Sequence, residues 1–261
     1  MTEAELAVAA DENLASTWAM LGRSMGADVI EEGPLTMVAT GLPVAFFNGA
    51  YVRSTTDEPA GAIEDAIRFF AERDLPWLLW ARREVAPNLL AAGRAAGLGE
   101  AGGPPAMALR EIHDRPAMPD GLTVEAARTT RALHQHQALL SEGFGMPMEI
   151  AERLIRPPML EEEHAVVFIG HVDGQPVSCS LLATSAKTAG VYNVATPERF
   201  RGRGYGEALT WSAIEEGARR GCSHAALQAS DAGYPLYRRM GFVDLGRYVQ
   251  LAGPPPADRS V

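Results

Sequence analysis

Val194 to Leu209 reads VATPERFRGRGYGEAL, which joins a strand end to a helix start through a turn rich in Gly and Arg. At such a junction free backbone N–H groups converge with the positive end of a helix dipole, so the turn binds phosphate. Glycines at 202, 204 and 206 remove side chains that would hold a pyrophosphate off the backbone, and Arg201 and Arg203 can add charge at the rim. Taken alone, the Gly-x-Gly-x-Gly run is equally a plain connection whose arginines face water. Two familiar phosphate loops are excluded by pattern: no Gly-Lys-Ser/Thr ending follows, and no Gly-x-Gly-x-x-Gly opens the first strand–helix unit.

Outward from this turn, the second half of the chain reads as a strand LTVEAAR, helices RALHQHQALLSEGF and MEIAERLIRPP, and three strands HAVVFIGHVDG, QPVSCSLLATSA and AGVYNVATP. Asp173-Gly174 joins the first two of these three strands as a hairpin. A helix beginning at Gly204 presents Leu209, Ala213, Ile214 and Ala218 on one face and stops at Gly221. A strand HAALQAS, a short helix PLYRRMGF and a strand GRYVQLA follow. In the short helix Gly241 reads as a C-cap and Phe242 as core.

The first half repeats this order. A helix runs from Glu3 to about Leu21, followed by strands ADVIEEG, LTMVATG and AFFNGAYV, helix AGAIEDAIRFFAERD, strand PWLLWAR, helix APNLLAAGRAAGL and strand PAMALREI. Aligning Asn48 with Asn193 brings the remaining elements into one order, which points to two copies of one unit. Where the second copy has ERFRGRGYG, the first has RSTTDEPAG and no repeated Arg or Gly. Glu111 to Leu122, with two prolines and a Gly, reads as the linker. The expected division is residues 1–115 for a degenerate unit, 116–253 for the unit with the turn, and 254–261 for a flexible tail.

The charge balance, 23 basic against 33 acidic side chains and a net of -10, argues against a nucleic-acid binder, which needs a cationic surface. An amine substrate suits that field. The acidic, polar N-terminus and the two cysteines, Cys179 and Cys222, each in an apolar stretch, make cytoplasm the expected compartment. No apolar run approaches the ~20 residues that span a bilayer.

The order of elements, with VATPERFRGRGYGEAL followed by YPLYRRMGF, resembles the GNAT family of acyl-CoA N-acyltransferases over the whole second half. The resemblance implies an α/β (α+β) fold of two tandem GNAT-like domains, each a mixed, mostly antiparallel sheet flanked by helices. In that family an Arg/Gln-x-x-Gly-x-Gly/Ala turn wraps the pyrophosphate of coenzyme A, which maps onto Arg201, Gly204 and Gly206, with Gly202, Arg203 and Tyr205 in the same turn. The preceding strand offers backbone groups to the pantetheine arm and thioester, here Val194 and Ala195. It splays from the next strand so that acyl-CoA wedges between YNVAT and ALQAS. Tyr237 matches a tyrosine that protonates the departing thiolate. Ser230 stands where the family often has asparagine against the pantetheine, and Gly233 where alanine is usual.

The resemblance thus implies an acetyl-CoA-dependent N-acetyltransferase, with direct attack by a primary amine and no metal. A non-catalytic acyl-CoA-binding regulatory module, and transfer from another acyl donor or to a hydroxyl, are the alternatives. The strand GVYNVAT holds no carboxylate to serve as general base. Asp231, His164 and Glu142 are candidates, and Asn193 and Gln228 can position water. His134 and His136, two apart on a helix, point to different faces and read as a solvated helix rather than metal ligands. Cys179 reads as an inert core thiol. Monomer and homodimer both stay open.

Overall fold

The computed structural model describes residues 1–113 and 116–253; the tail expected over 254–261 lies outside them. In chain order the first half comprises α1 (Glu3–Met25), β1 (Asp28–Ile30), β2 (Leu35–Ala39), β3 (Gly49–Val52), α2 (Pro59–Ala71), β4 (Leu78–Arg82), α3 (Pro87–Ala95), β5 (Gly99–Gly102) and β6 (Pro105–Leu109). The second half comprises β7 (Leu122–Ala126), α4 (Thr130–Phe144), α5 (Met148–Leu154), β8 (Ala165–Val172), β9 (Gln175–Ser185), β10 (Thr188–Ala195), α6 (Tyr205–Arg219), β11 (His224–Gln228), α7 (Tyr234–Arg239) and β12 (Val243–Ala252). None of the described helices is long and apolar enough to cross a membrane.

Two compact units result: Met1–Ala106 with Ala229–Asp231 and Asp244–Val261, and Met107–Gln228 with Ala232–Val243. A linear cut at 115/116 therefore differs from the packing. The end of β6, Met107–Leu109, belongs to the second unit, where β6 neighbours β11. The C-terminal strand β12 belongs from Asp244 onward to the first unit, antiparallel to β4 with Tyr248 opposite Arg82. Each unit is completed by a strand from the other half of the sequence, a pairing that local patterning cannot specify.

In the first unit β1, β2 and β3 form an antiparallel meander, and β3 runs parallel to β4. Alternation splits the strand side chains between two faces. Ala50, Val52, Leu79 and Ala81 pack with Ile63, Phe70, Leu89 and Leu90. Tyr51 stacks instead on Trp18 of α1 at 5.6 Å, with Trp80 and Tyr248 continuing the row of rings. Under these rings the buried Arg82 donates to Asp11 Oδ1 at 2.9 Å, to Leu245 O at 2.9 Å and to Ala7 O. Tyr248 OH donates to the same Asp11 oxygen at 2.7 Å. The network fastens β4 and β12 to α1. β5 pairs with β12; its Gly-rich, exposed sequence carries no strand signal, and the sequence reading passes over it.

In the second unit β7, β8, β9 and β10 pair antiparallel in succession and β10 runs parallel to β11. The β8–β9 turn is the expected one: Val172 faces Gln175, with Asp173 at φ 51 and Gly174 at φ 75. Ser180 Oγ donates to Leu209 O of α6 at 2.9 Å. On α4 His136 is fully buried, which corrects the expectation of a solvated helix; its Nδ1 lies 3.2 Å from Phe168 O of β8. His134 is exposed as expected.

Candidate active site

The site begins with an irregularity in β10. Tyr192 faces Leu181 and Ala195 faces Cys179, so β10 carries one residue more than β9 over this interval. Asn193 takes up the excess at φ 54, a left-handed conformation that Asn tolerates better than most side chains. Such a bulge bends its strand. On its other edge β10 pairs with β11 only from Thr188–His224 to Gly190–Ala226. Val191 to Ala195 on β10, and Leu227 and Gln228 on β11, lie beyond the last β10–β11 register pair. The sheet is open where the sequence resemblance placed a cleft.

The open half is held from β9. Ser178 Oγ donates to Ala195 O at 3.1 Å and lies 2.8 Å from Thr196 Oγ1, while Cys179 Sγ donates to Asn193 O at 3.5 Å. Burial pushes the Cys179 thiol up to about 12, so it stays an S–H donor and a poor nucleophile. α4 passes close by: a Cβ on Gly143 would fall 2.8 Å from Ala195 Cβ, so only glycine permits this approach. Val194 faces the first turn of α6, its Cγ1 3.9 Å from where a Cβ on Gly206 would lie.

Beyond β10 the chain turns through Glu198–Phe200 into Arg201 and the loop. Gly202 at φ 75 and Gly204 at φ 79, ψ 0 flank Arg203, an alternation that turns successive N–H groups toward one concavity. Among the described residues, no bond is donated by the backbone N–H of Gly202 through Glu207; the first intrahelical one is Ala208 N–H to Gly204 O at 3.0 Å. These donors, at the positive end of the helix Tyr205–Arg219, fit a pyrophosphate. Pro119 lies against the loop, 3.3 Å from where a Cβ on Gly204 would be.

The arginines differ. Arg201 does not reach outward: its Nε donates to Thr196 O at 3.0 Å and its NH2 to Gly143 O at 3.3 Å, tying the loop to β10 and α4. Arg203 is exposed and, among the described residues, makes no hydrogen bond or ion pair. Tyr237 is buried on α7. Burial pushes its phenol up to about 12, opposed by a hydrogen bond with Thr210 of α6. Thr210 in turn donates to Gly206 O at 2.8 Å, which links the phenol to the loop.

Of the groups considered as bases, His164 stands apart from this arrangement. His164 O accepts from Thr184 N–H at 2.7 Å, and Thr184 faces Ala189 in the paired half of β10. From Thr184 back to Cys179 is roughly 17 Å at about 3.4 Å per residue. Glu142, exposed, is paired with Arg199. Asp231 is exposed, 3.8 Å from Arg247. Asp231 and Ser230 both fall in Ala229–Asp231 of the first unit.

A bulged strand at the edge of a mixed sheet, followed by a turn of N–H groups at a helix start, can hold a phosphate-bearing ligand along the strand. Residues 132–242 match the model of the acetyltransferase (GNAT) family. The fold extends over the whole chain. A GCN5-related N-acetyltransferase from Kribbella flavida is similar with TM-score 0.70 at 23% identity, over 94% of this chain and 95% of its own. One from Sphaerobacter thermophilus gives 0.59 at 17%, over 94% and 92%. A tandem GNAT protein from the clavulanic acid biosynthesis pathway gives 0.56 at 15%, over 84% and 79%. A comparison with curated proteins finds no match. The chain has the α/β fold of two tandem GNAT-like units.

Proposed function

We propose that the protein is an acetyl-CoA-dependent N-acetyltransferase whose acceptor is a primary amine, with the coenzyme in the second unit. The observation that carries this reading is the row of N–H groups from Gly202 to Glu207, unbonded among the described residues, that follows the end of β10 beyond its last register pair with β11. The cradle takes the pyrophosphate, with Arg203 contributing charge from the rim. The backbone of Val194 and Ala195 meets the pantetheine arm and thioester. Arg201 holds the loop rather than the phosphate.

The amine attacks the thioester carbonyl carbon directly, and its surplus proton leaves to solvent. Tyr237 turns its O–H from Thr210 to hydrogen-bond the departing sulfur. A phenol at about 12 grips its proton more tightly than a thiol of pKa ~8.5, so its contribution is that hydrogen bond, and the thiolate takes its final proton from water. The first unit, which lacks the Gly turn, acts as a degenerate partner.

Calorimetric titration of acetyl-CoA tests this reading. Wild type binds, and Gly204→Glu does not, because the substitution puts a side chain at φ 79 and an anion inside the cradle. A panel of amines assayed by thiol release then identifies the acceptor. A wild type that binds no acyl-CoA overturns the reading, and one that binds but acylates no amine is the regulatory alternative.

A further inference from the structure

The bulge of β10 leaves one polar group without a function in the fold. The Asn193 side-chain Nδ2 is buried and has no hydrogen-bond partner, although the residue lies on the open half of the strand. Leaving a buried amide donor unsatisfied costs about 1–3 kcal/mol, and such groups in native structures call for a reason. The backbone of the same residue is well held: its carbonyl accepts from Cys179 Sγ, and two residues on Ala195 O accepts from Ser178 Oγ. The side chain is thus carried on a fixed support with its donor unused.

We propose that Asn193 is a catalytic residue whose side-chain amide donates a hydrogen bond to the thioester carbonyl oxygen as that oxygen becomes negative. This rests on the reading of the cleft as the acyl-CoA site. In the step concerned the amine lone pair forms the new C–N bond and the carbonyl π pair moves onto oxygen. The attacking nitrogen then loses one proton to solvent. Return of the oxygen pair breaks the C–S bond, and the thiolate leaves with that bond's electrons and is protonated by solvent. Asn193 stabilises the oxygen throughout and exchanges no proton. A donor placed where charge develops is worth about 10²–10³ in kcat.

The competing explanation is conformational: φ 54 alone favours Asn. Asn193→Gly separates the two, since glycine adopts that φ freely but has no donor. Bound acetyl-CoA labelled with ¹³C at the carbonyl is read by difference infrared spectroscopy, alongside kcat with the best amine, or water as acceptor if no amine reacts. Wild type lowers the thioester C=O stretch relative to free acetyl-CoA. Asn193→Gly restores it toward the free value and lowers kcat about 10²–10³-fold, with acetyl-CoA affinity within about threefold. Should Asn193→Gly fail to fold by circular dichroism, Asn193→Asp, nearly isosteric but without the donor, carries the test with the same expected result. An unchanged stretch and a kcat within about threefold of wild type, in whichever variant folds, overturn the proposal. Failure of wild type to bind acetyl-CoA overturns the reading beneath it, and is seen before any variant is made.

Discussion

At the scale of single residues, chemistry in this site is decided by what each polar group has left to give. Arg201 and Arg203 are two residues apart in one motif, yet the first spends its guanidinium on Thr196 O and Gly143 O while the second is unengaged. Substituting Arg203 and substituting Arg201 are therefore different experiments. Tyr237 is bound to Thr210 and pushed up to about 12, so it stays protonated across any working pH. Tyr237→Phe keeps the ring and removes the hydrogen bond. We expect kcat to fall by about 10²-fold, the low end for losing one hydrogen bond to a developing charge, with acetyl-CoA affinity unchanged by calorimetry; a kcat equal to wild type removes Tyr237 from the mechanism. The Gly-rich turn was legible in the sequence because backbone access requires glycine at particular positions. The use of Arg201 was not, because its acceptors come from β10 and α4.

At the scale of elements, the two units differ by the length of one strand. β10 spans Thr188–Ala195 and β3 spans only Gly49–Val52. Gly49 begins pairing with β4 at Leu78 as Thr188 begins pairing with β11 at His224. β3 ends just beyond its last parallel pair, Tyr51–Trp80, where β10 goes on into its open half. The first unit thus lacks the stretch that carries the bulge as well as the Gly turn. This shifts the expected equivalence of Asn48 with Asn193. Asn48 precedes β3 and is fully bonded, accepting from Thr40 N–H and donating to Leu42 O and Pro76 O, whereas Asn193 lies near the end of β10. The residues AFFNGAYV, read as one strand, are a short 3-10 turn at Ala45–Phe47 and then β3. Identity of one residue type misaligned the copies, and only the pairing register corrects it.

The packing of α4 on β8 also sets a pH dependence. His136 is enclosed there, and burial lowers its imidazole from 6.5 to about 4, with the hydrogen bond to Phe168 O opposing. The unfolded chain therefore binds a proton between pH 6.5 and 4 that the folded chain refuses. The neutral imidazole's contribution is complete above 6.5 and is lost as pH falls toward 4, on the order of 3 kcal/mol in all. Urea denaturation from pH 7 to 4 should show His136→Gln with a shallower loss of stability than wild type. Parallel curves would mean that the imidazole titrates alike in both states.

At the scale of the whole molecule, the division of the sequence and the division of the structure do not coincide. Residues 116–253 contain the whole Gly turn, both motifs and Tyr237, and a fragment cut there looks self-sufficient on paper. It lacks Met107–Leu109, which belong to its own unit beside β11, and retains β12, which belongs mainly to the first unit. We expect that fragment to unfold without a cooperative transition by circular dichroism and to bind no acetyl-CoA, while the full chain melts cooperatively and binds it. A fragment that melts cooperatively and binds would make the exchanged strands dispensable.

The sequence by itself determined most of the elements and their order, the β8–β9 turn and the Gly-rich turn ahead of α6. Each rests on local rules: side-chain periodicity, the dihedral freedom of glycine, and the orphan N–H groups of a helix start. Tertiary structure alone decided which strand completes each sheet, where β10 parts from β11, and which polar atoms remain unbonded once packing is finished. Those outcomes depend on register and burial among residues far apart in the chain, and no window of sequence contains both partners.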